Sequence, residues 1–155
     1  MKHLAHLVLT LVLTACGGDS GTADPMNLDQ LRGQWVVINY WAQWCKPCIR
    51  EIPELNNLNR QYRQVTVLGV NYDGATGQEL ELQLEKLGIA FATLPGDPAR
   101  QLGAPRPVVL PTTLILDPQG QLHATLVGPQ TLESLTQATK QAPATPNEHE
   151  AGTEP

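Results

Sequence analysis

The sequence has little of what several protein classes require. It has three cysteines in 155 residues, too few for a small scaffold held together by disulfides. Basic side chains are scarce, with 10 Lys and Arg against 15 Asp and Glu, and the net charge of -5 argues against a nucleic-acid-binding face. No apolar run approaches the ~20 residues of a membrane-spanning helix. Apolar residues still make up 41% of the chain, which is enough for one folded domain.

The N-terminus has the layout of a secretory signal. Lys2 precedes a short apolar run, Leu4–Leu13, which small residues and Cys16 follow. The tetrapeptide LTAC that ends at Cys16 resembles a bacterial lipobox, which implies cleavage before this cysteine and attachment of lipid to its sulfur. An ordinary secretory signal with an unrelated cysteine is the alternative. We therefore expect a lipoprotein signal peptide over 1–15 and lipid anchoring at the periplasmic face of a bacterial membrane, inner or outer.

Composition divides the rest of the chain into three parts. Residues 16–27 are small, polar and rich in glycine, which predicts a flexible tether. Residues 142–155 contain prolines and glutamates but no large apolar side chain. They cannot bury enough surface to offset the entropy of ordering, so we predict a disordered tail. The folded domain is predicted over 28–141.

Within this domain, apolar patterns typical of strands alternate with patterns typical of helices. The predicted helices cover Pro47–Tyr62, Gln78–Leu87 and Thr131–Gln141, with a helical turn at Pro98–Leu102. The predicted strands cover Trp35–Trp41, Val65–Asn71, a short stretch at Phe91–Leu94, and a hairpin of Thr112–Leu116 and Leu122–Val127. Pro53 is expected to kink the first helix. This order predicts an α/β fold, a central mixed β-sheet with helices on both faces.

A Cys-Lys-Pro-Cys motif lies where the first predicted strand meets the first long helix. At a helix N-terminus, Cys45 faces unpaired backbone amides and the positive end of the helix dipole, both of which stabilise a thiolate. Cys48 lies one turn into the helix and can close a disulfide with Cys45. Pro47 suits the first helical turn, and Lys46 adds positive charge beside Cys45. The pattern indicates redox chemistry.

Other uses of the motif fit the sequence less well. A zinc site needs four ligands, and the motif supplies two. Ile49 stands where covalent haem attachment requires a histidine. A purely structural disulfide between residues this close would close a small loop and stabilise little. We expect no metal and no cofactor beyond the redox-active disulfide itself.

The residues around the motif resemble the TlpA/ResA/DsbE branch of the thioredoxin superfamily. The stretch NYWAQWCKPC at 39–48 is similar to the superfamily's active-site segment, and CIREIPEL at 48–55 continues it as the branch does, in the pattern W-C-x-P-C-x-x-E-x-P. The stretch LPTTLILDPQG at 110–120 resembles the cis-proline segment and the hairpin after it. The resemblance implies a thioredoxin-like fold and a thiol–disulfide oxidoreductase.

The resemblance also implies roles for single residues. Cys45 would be the exposed attacking thiol and Cys48 the buried resolving thiol. Pro111 would be a cis-proline facing the disulfide, with Leu110 and Thr112 beside it pairing with an extended substrate segment. Further substrate contacts are expected from Trp44, Lys46 and Pro47.

Glu51 is a candidate for proton transfer. It follows Cys48 by three residues and therefore shares its helical face. It matches the glutamate of the branch, so we expect it to tune the pKa values of the thiols and to relay a proton to or from Cys48. A solvated first-turn glutamate, favoured by the helix dipole, is the alternative. Asn39 stands where thioredoxin itself keeps a buried aspartate, and an amide there cannot exchange protons.

The sequence thus predicts a membrane-tethered, monomeric thiol–disulfide oxidoreductase that acts on disulfides and dithiols of extracytoplasmic proteins. The resemblance implies a reductant that takes electrons from a membrane dithiol donor, with apocytochrome c as a candidate substrate. A disulfide oxidant or isomerase stays open, as does a non-catalytic thiol module that carries copper. One departure from the branch concerns 103–109, GAPRPVV, which replaces the usual Tyr-x-Val approach to the cis-proline and carries two extra prolines.

Overall fold

The computed structural model describes residues 27–142 and contains a five-stranded sheet and three α-helices. The helices are α1 (Lys46–Gln61), α2 (Gly77–Leu87) and α3 (Leu132–Ala138), with a 3-10 helix at Leu28–Leu31. The strands are β1 (Trp35–Trp41), β2 (Val65–Asn71), β3 (Ala92–Thr93), β4 (Thr112–Leu116) and β5 (Leu122–Val127). None of the described helices is long and apolar enough to cross a lipid bilayer. The predicted signal peptide and Cys16 lie outside the described residues, as does nearly all of the predicted tether and tail.

The sheet has the strand order β3-β2-β1-β4-β5. β1 pairs in parallel with β2, from Trp35 opposite Val65 to Trp41 opposite Asn71, and β2 pairs in parallel with β3. β4 runs antiparallel to both β1 and β5. The prediction of a mixed sheet ending in a hairpin is confirmed. The apolar run of β1 is explained by its central place, because it has a strand on each side and packing on both faces.

Each α-helix packs against the same face of the sheet. Alternate residues of β1 and β2 meet α1 and α3 on this face in a cluster that includes Val37, Val67, Leu55 and Leu135. α2 lies on the same face. Its Leu80, Leu84 and Leu87 pack against the cluster that contains Trp41, and its buried Gln83 accepts a hydrogen bond from Asn71 of β2 at 2.8 Å.

The opposite face is covered by shorter elements. Leu28 and Leu31 of the 3-10 helix pack there with Leu102 and Ala104, which lie in and just after an irregular turn. Helices on both faces were predicted, but within residues 27–142 the only helix on the second face is this 3-10 helix. The reason is that the β1–α1–β2 and β2–α2–β3 crossovers step in the same direction across the sheet. Right-handed crossovers then place both helices on one side.

The helix boundaries follow local signals. α1 begins with Pro47 in its first turn and continues through Pro53. α2 ends at Gly88, whose φ of 66° is the left-handed conformation expected of a C-terminal glycine. α3 is shorter than predicted because Thr131 is its N-cap, in a capping box with Ser134, and the chain leaves helical geometry at Thr139.

We expect Gly69→Ala to destabilise the protein. A Cβ atom at Gly69 would lie 2.8 Å from Nε1 of the buried Trp41 and 3.2 Å from the Phe91 ring, so the packing of this face must shift. We expect a loss of about 1–3 kcal/mol in the free energy of unfolding, measured by urea denaturation. Gly96→Ala is the matched control, since a Cβ atom there meets nothing within 4 Å. Equal stability of the two variants would contradict the packing described here.

Candidate active site

The two motif cysteines form a disulfide at the N-terminus of α1. Their sulfurs are 2.04 Å apart and their Cα atoms 5.3 Å apart. β1 ends at Trp41, and the chain turns once so that Cys45 becomes the N-cap of α1. Cys45 Sγ accepts a hydrogen bond from the Cys48 amide at 3.2 Å. The helix therefore directs a free backbone donor at this sulfur, which will stabilise negative charge on it once the disulfide is reduced.

Both cysteines are shielded in this disulfide form. Cys45 is 4% exposed and Cys48 is 1% exposed. The expectation of an exposed Cys45 is therefore wrong for the oxidised protein. The two cysteines lie in one apolar cluster with Trp41, and Leu110 and Tyr72 pack against that cluster.

The proline segment predicted to lie near the disulfide is present and has the expected backbone geometry. The Leu110–Pro111 peptide bond is cis. Leu110 packs against the cysteine cluster, which brings this bond to the disulfide. The Gly128 amide donates to the Pro111 carbonyl at 2.9 Å, and Thr112 Oγ1 donates to the Val109 carbonyl at 2.8 Å. The segment is thus held to β5 on one side and to its own preceding residues on the other.

Glu51 is buried beneath the motif rather than solvated. It is 2% exposed, which excludes the alternative of a surface glutamate in the first turn. Its Oε1 accepts from Asn39 Nδ2 at 2.7 Å, and its Oε2 accepts from the Gln130 amide at 2.7 Å. Asn39 Nδ2 also donates to Thr113 Oγ1 at 3.0 Å, across the β1–β4 pair.

The environment of Glu51 favours its protonated form. Burial raises the pKa of this carboxyl group, and the hydrogen bonds from Gln130 and Asn39 lower it and so offset part of the effect. A carboxyl group with a raised pKa can hold or release a proton nearer to neutral pH than an ordinary glutamate can.

The flanking motif residues differ in their surroundings. Trp44 is 60% exposed, and its Nε1 donates to Asp73 Oδ2 at 2.9 Å, so the indole is fixed at the surface beside the motif. Trp41 is fully buried and packs with the two cysteines. Lys46 is exposed at the first position of α1, and Pro47 follows it in the first turn.

Sequence reasoning missed several polar residues around the site. The sequence predicts no catalytic role for Tyr72 or Asp73, and no role for Asp97 or Arg106. Tyr40 Oη donates to Asp97 Oδ1 at 2.6 Å, and Arg106 Nε lies 3.0 Å from Asp97 Oδ2. Burial, and then the hydrogen bond and negative charge of Asp97, raise the pKa of Tyr40. The one available signal was a charged residue between two prolines in the segment that leads to Pro111.

No group of three or more His, Cys, Asp or Glu side chains that could hold a metal ion occurs within residues 27–142.

Comparison with known proteins agrees with this geometry. The profile of the AhpC/TSA family matches residues 12–125. The thiol-disulfide oxidoreductase ResA of Geobacillus kaustophilus is 34% identical over 110 residues, which are 70% of this chain and 63% of that protein. The chain thus spans slightly less than two thirds of the length of this relative.

Solved structures with the same fold include proteins of two corynebacteria. A DsbF homologue from Corynebacterium diphtheriae has a TM-score of 0.60 and 29% identity, covering 73% of this chain and 74% of that chain. A secreted thiol-disulfide isomerase from Corynebacterium glutamicum has a TM-score of 0.62 and 26% identity, covering 74% of this chain and 73% of that chain.

The buried carboxyl group predicts a pH dependence of stability. Glu51 has a folded-state pKa above its unfolded value of 4.5, so the folded protein binds more protons than the unfolded one between these two pKa values. Wild-type stability should therefore fall, relative to that of Glu51→Gln, as the pH rises above 4.5, and the difference should level off above the folded-state pKa. Urea denaturation of both oxidised proteins from about pH 4 to about pH 8 measures this. If the free energies of unfolding of the two proteins changed with pH in parallel, folding would not disfavour the charged form of Glu51.

Proposed function

Because this chain belongs to the AhpC/TSA family and has a thioredoxin-like fold, we propose that it is a thiol–disulfide oxidoreductase acting on other proteins. One observation carries the proposal: the Cys45–Cys48 disulfide caps α1, and the cis Leu110–Pro111 bond is packed against it. A disulfide with no catalytic use would gain nothing from a helix N-terminus that stabilises its thiolate.

The reductive reaction has two steps. In the dithiol form, the Cys45 thiolate attacks one sulfur of a substrate disulfide, and a mixed disulfide forms while the other substrate sulfur leaves as a thiolate and takes up a proton. Cys48 then loses its proton and attacks Cys45 Sγ. The Cys45–Cys48 disulfide forms and the second substrate thiol is released, so the substrate gains two electrons and the enzyme loses two.

We propose that Glu51 serves the second step. It follows Cys48 by three residues on α1, so the two side chains share a helical face. Its carboxylate is held in place by Asn39 and by the Gln130 amide, which fixes the orientation of the acid without exposing it to water. It can therefore accept the Cys48 proton when the resolving thiolate forms and return it on re-reduction.

The substrate is proposed to lie along the proline segment. Pro111 has no backbone N–H and its carbonyl already accepts from Gly128, so we place the backbone pairing with an extended substrate chain at Leu110, the residue before it. Thr112 is placed beside that chain as the first residue of β4, where β1 and β5 pair with it on either side. Trp44, Lys46 and Pro47 border the same disulfide from the helix side.

We further propose the direction and place of the reaction. The protein would be a lipid-anchored reductant at the periplasmic face, attached through Cys16 and re-reduced by a membrane dithiol donor. Its substrates would be disulfides of extracytoplasmic proteins, apocytochrome c among them. The signal-like N-terminus supports the location, and the resemblance to the TlpA/ResA/DsbE branch supports the reductive direction.

Loss of the resolving thiol should trap the intermediate. With Cys48→Ser, we expect insulin-disulfide reduction to fall by roughly a hundredfold or more, because no neighbouring thiol releases the substrate. The Cys45–substrate mixed disulfide should accumulate and appear as a shifted band on a non-reducing gel. Cys45→Ser is the matched control and should lose activity without this band. A trapped adduct in Cys45→Ser instead would reverse the proposed roles of the two thiols.

The reduction potential decides the direction. We expect the Cys45–Cys48 pair to equilibrate with dithiothreitol buffers at about -250 mV or below, as in thioredoxin-type reductants. A value near about -120 mV would mark a disulfide-forming oxidant. Stoichiometric, tight Cu(I) binding by a dithiol form that reduces no disulfide would instead support a copper carrier.

A further inference from the structure

The segment of residues 104–110, which joins the turn at 99–103 to β4, is held less firmly than the rest of the domain. Residues 104–110 have no regular secondary structure, and Val108 and Val109 are 91% and 51% exposed. A groove of about 360 Å³ separates this segment from β4 and β5. The sheet therefore does not hold the segment from that side, although Leu110 at its end packs against the cysteine cluster.

The segment has few contacts of its own to fix it. Among the described residues, the backbone of 105–109 makes one hydrogen bond, in which the Val109 carbonyl accepts from Thr112. Pro105 and Pro107 contribute no N–H. The position of the exposed valines must therefore be set largely by side chains.

One side chain, Arg106, joins the segment to the rest of the site. Its Nε lies 3.0 Å from Asp97 Oδ2, and its Nη2 donates to the Tyr72 carbonyl at 2.7 Å. Its guanidinium carbon lies 4.2 Å from the centroid of the Tyr72 ring. A single half-exposed ion pair is worth little. The guanidinium group, however, contacts Asp97 on one side and both the carbonyl and the ring of Tyr72 on the other. These three contacts together fix its position more firmly than one ion pair does, and only the planar side chain of arginine can make all three.

The partners of Arg106 are themselves fixed. Asp97 Oδ1 accepts from Tyr40 Oη at 2.6 Å and from the Ala99 amide at 2.9 Å. Tyr40 is fully buried in β1, five residues before Cys45. Tyr72 directly precedes Asp73, the residue that holds the Trp44 indole. Arg106 thus connects the segment before Pro111 to the same strand and loop that position the redox motif.

We propose that Arg106 is a positioning residue for partner recognition. It holds Val108–Leu110 as a fixed apolar lip beside the cis peptide bond, and this lip contacts apolar residues that flank the target cysteine of a protein substrate. The inference rests on the proposed oxidoreductase function and adds a specificity element to it. Arg106 touches neither sulfur, so its loss should weaken the binding of a protein disulfide and leave the thiol chemistry unchanged.

The test compares a protein disulfide with a small one. With Arg106→Gln, we expect the KM for insulin to rise about five- to tenfold while kcat stays within about twofold. The rate with hydroxyethyl disulfide and the reduction potential should equal those of the wild type. Arg100→Gln is the matched control. Arg100 is exposed in the neighbouring turn and makes no side-chain hydrogen bond or ion pair within residues 27–142, so its insulin kinetics should not change.

Two further variants separate positioning from charge and from folding. Arg106→Lys keeps the charge but not the planar fork, so its KM should resemble that of Arg106→Gln. Val108→Ser alters an exposed side chain and should raise the KM for insulin without affecting the fold. If Arg106 acts through the lip, the double variant Arg106→Gln/Val108→Ser should be little worse than the poorer single variant.

The outcomes are distinct. An unchanged KM in Arg106→Gln, full rescue by lysine, or an equal loss with hydroxyethyl disulfide would each refute the positioning role. A wild-type protein that reduces neither disulfide would instead refute the proposed function itself.

Discussion

The burial of one carboxyl group organises the centre of this protein. Glu51 comes from α1, and its two oxygens are bound by β1 and by the loop before α3. An unpaired acid at that depth would be costly, so the helix, the strand and the loop must meet at one point to satisfy it. That meeting point lies one turn below the disulfide. The redox motif therefore lies directly above a network of buried hydrogen bonds that is already formed in the absence of substrate.

The arrangement of the site follows from the order of the strands. β1 and β4 are antiparallel neighbours, so the end of β1 that leads to Cys45 lies beside the start of β4 that follows Pro111. Residues more than sixty positions apart in sequence thus become two walls of one site. The loop after β2 joins these walls, because Asp73 binds Trp44 and the neighbouring Tyr72 binds Arg106.

Local patterns were enough to predict the parts of the fold that local physics determines. The apolar run of β1, the proline in the first turn of α1 and the glycine after α2 each act within a few residues. The side of the sheet on which α2 packs depends on strand order, which no local pattern contains. In the site, the motif and its glutamate were predicted. The partners Gln130, Thr113 and Arg106 were not, because a backbone amide, a strand threonine and a surface arginine carry no distinctive spacing.

The central position of β1 determines how rarely its backbone hydrogen bonds open. Its amides are paired on both sides and covered on both faces, so they exchange with solvent only when the whole domain opens, whereas the edge strand β5 can loosen independently. The disulfide follows this strand closely in the chain. The strand that carries it stays among the slowest-opening parts of the molecule.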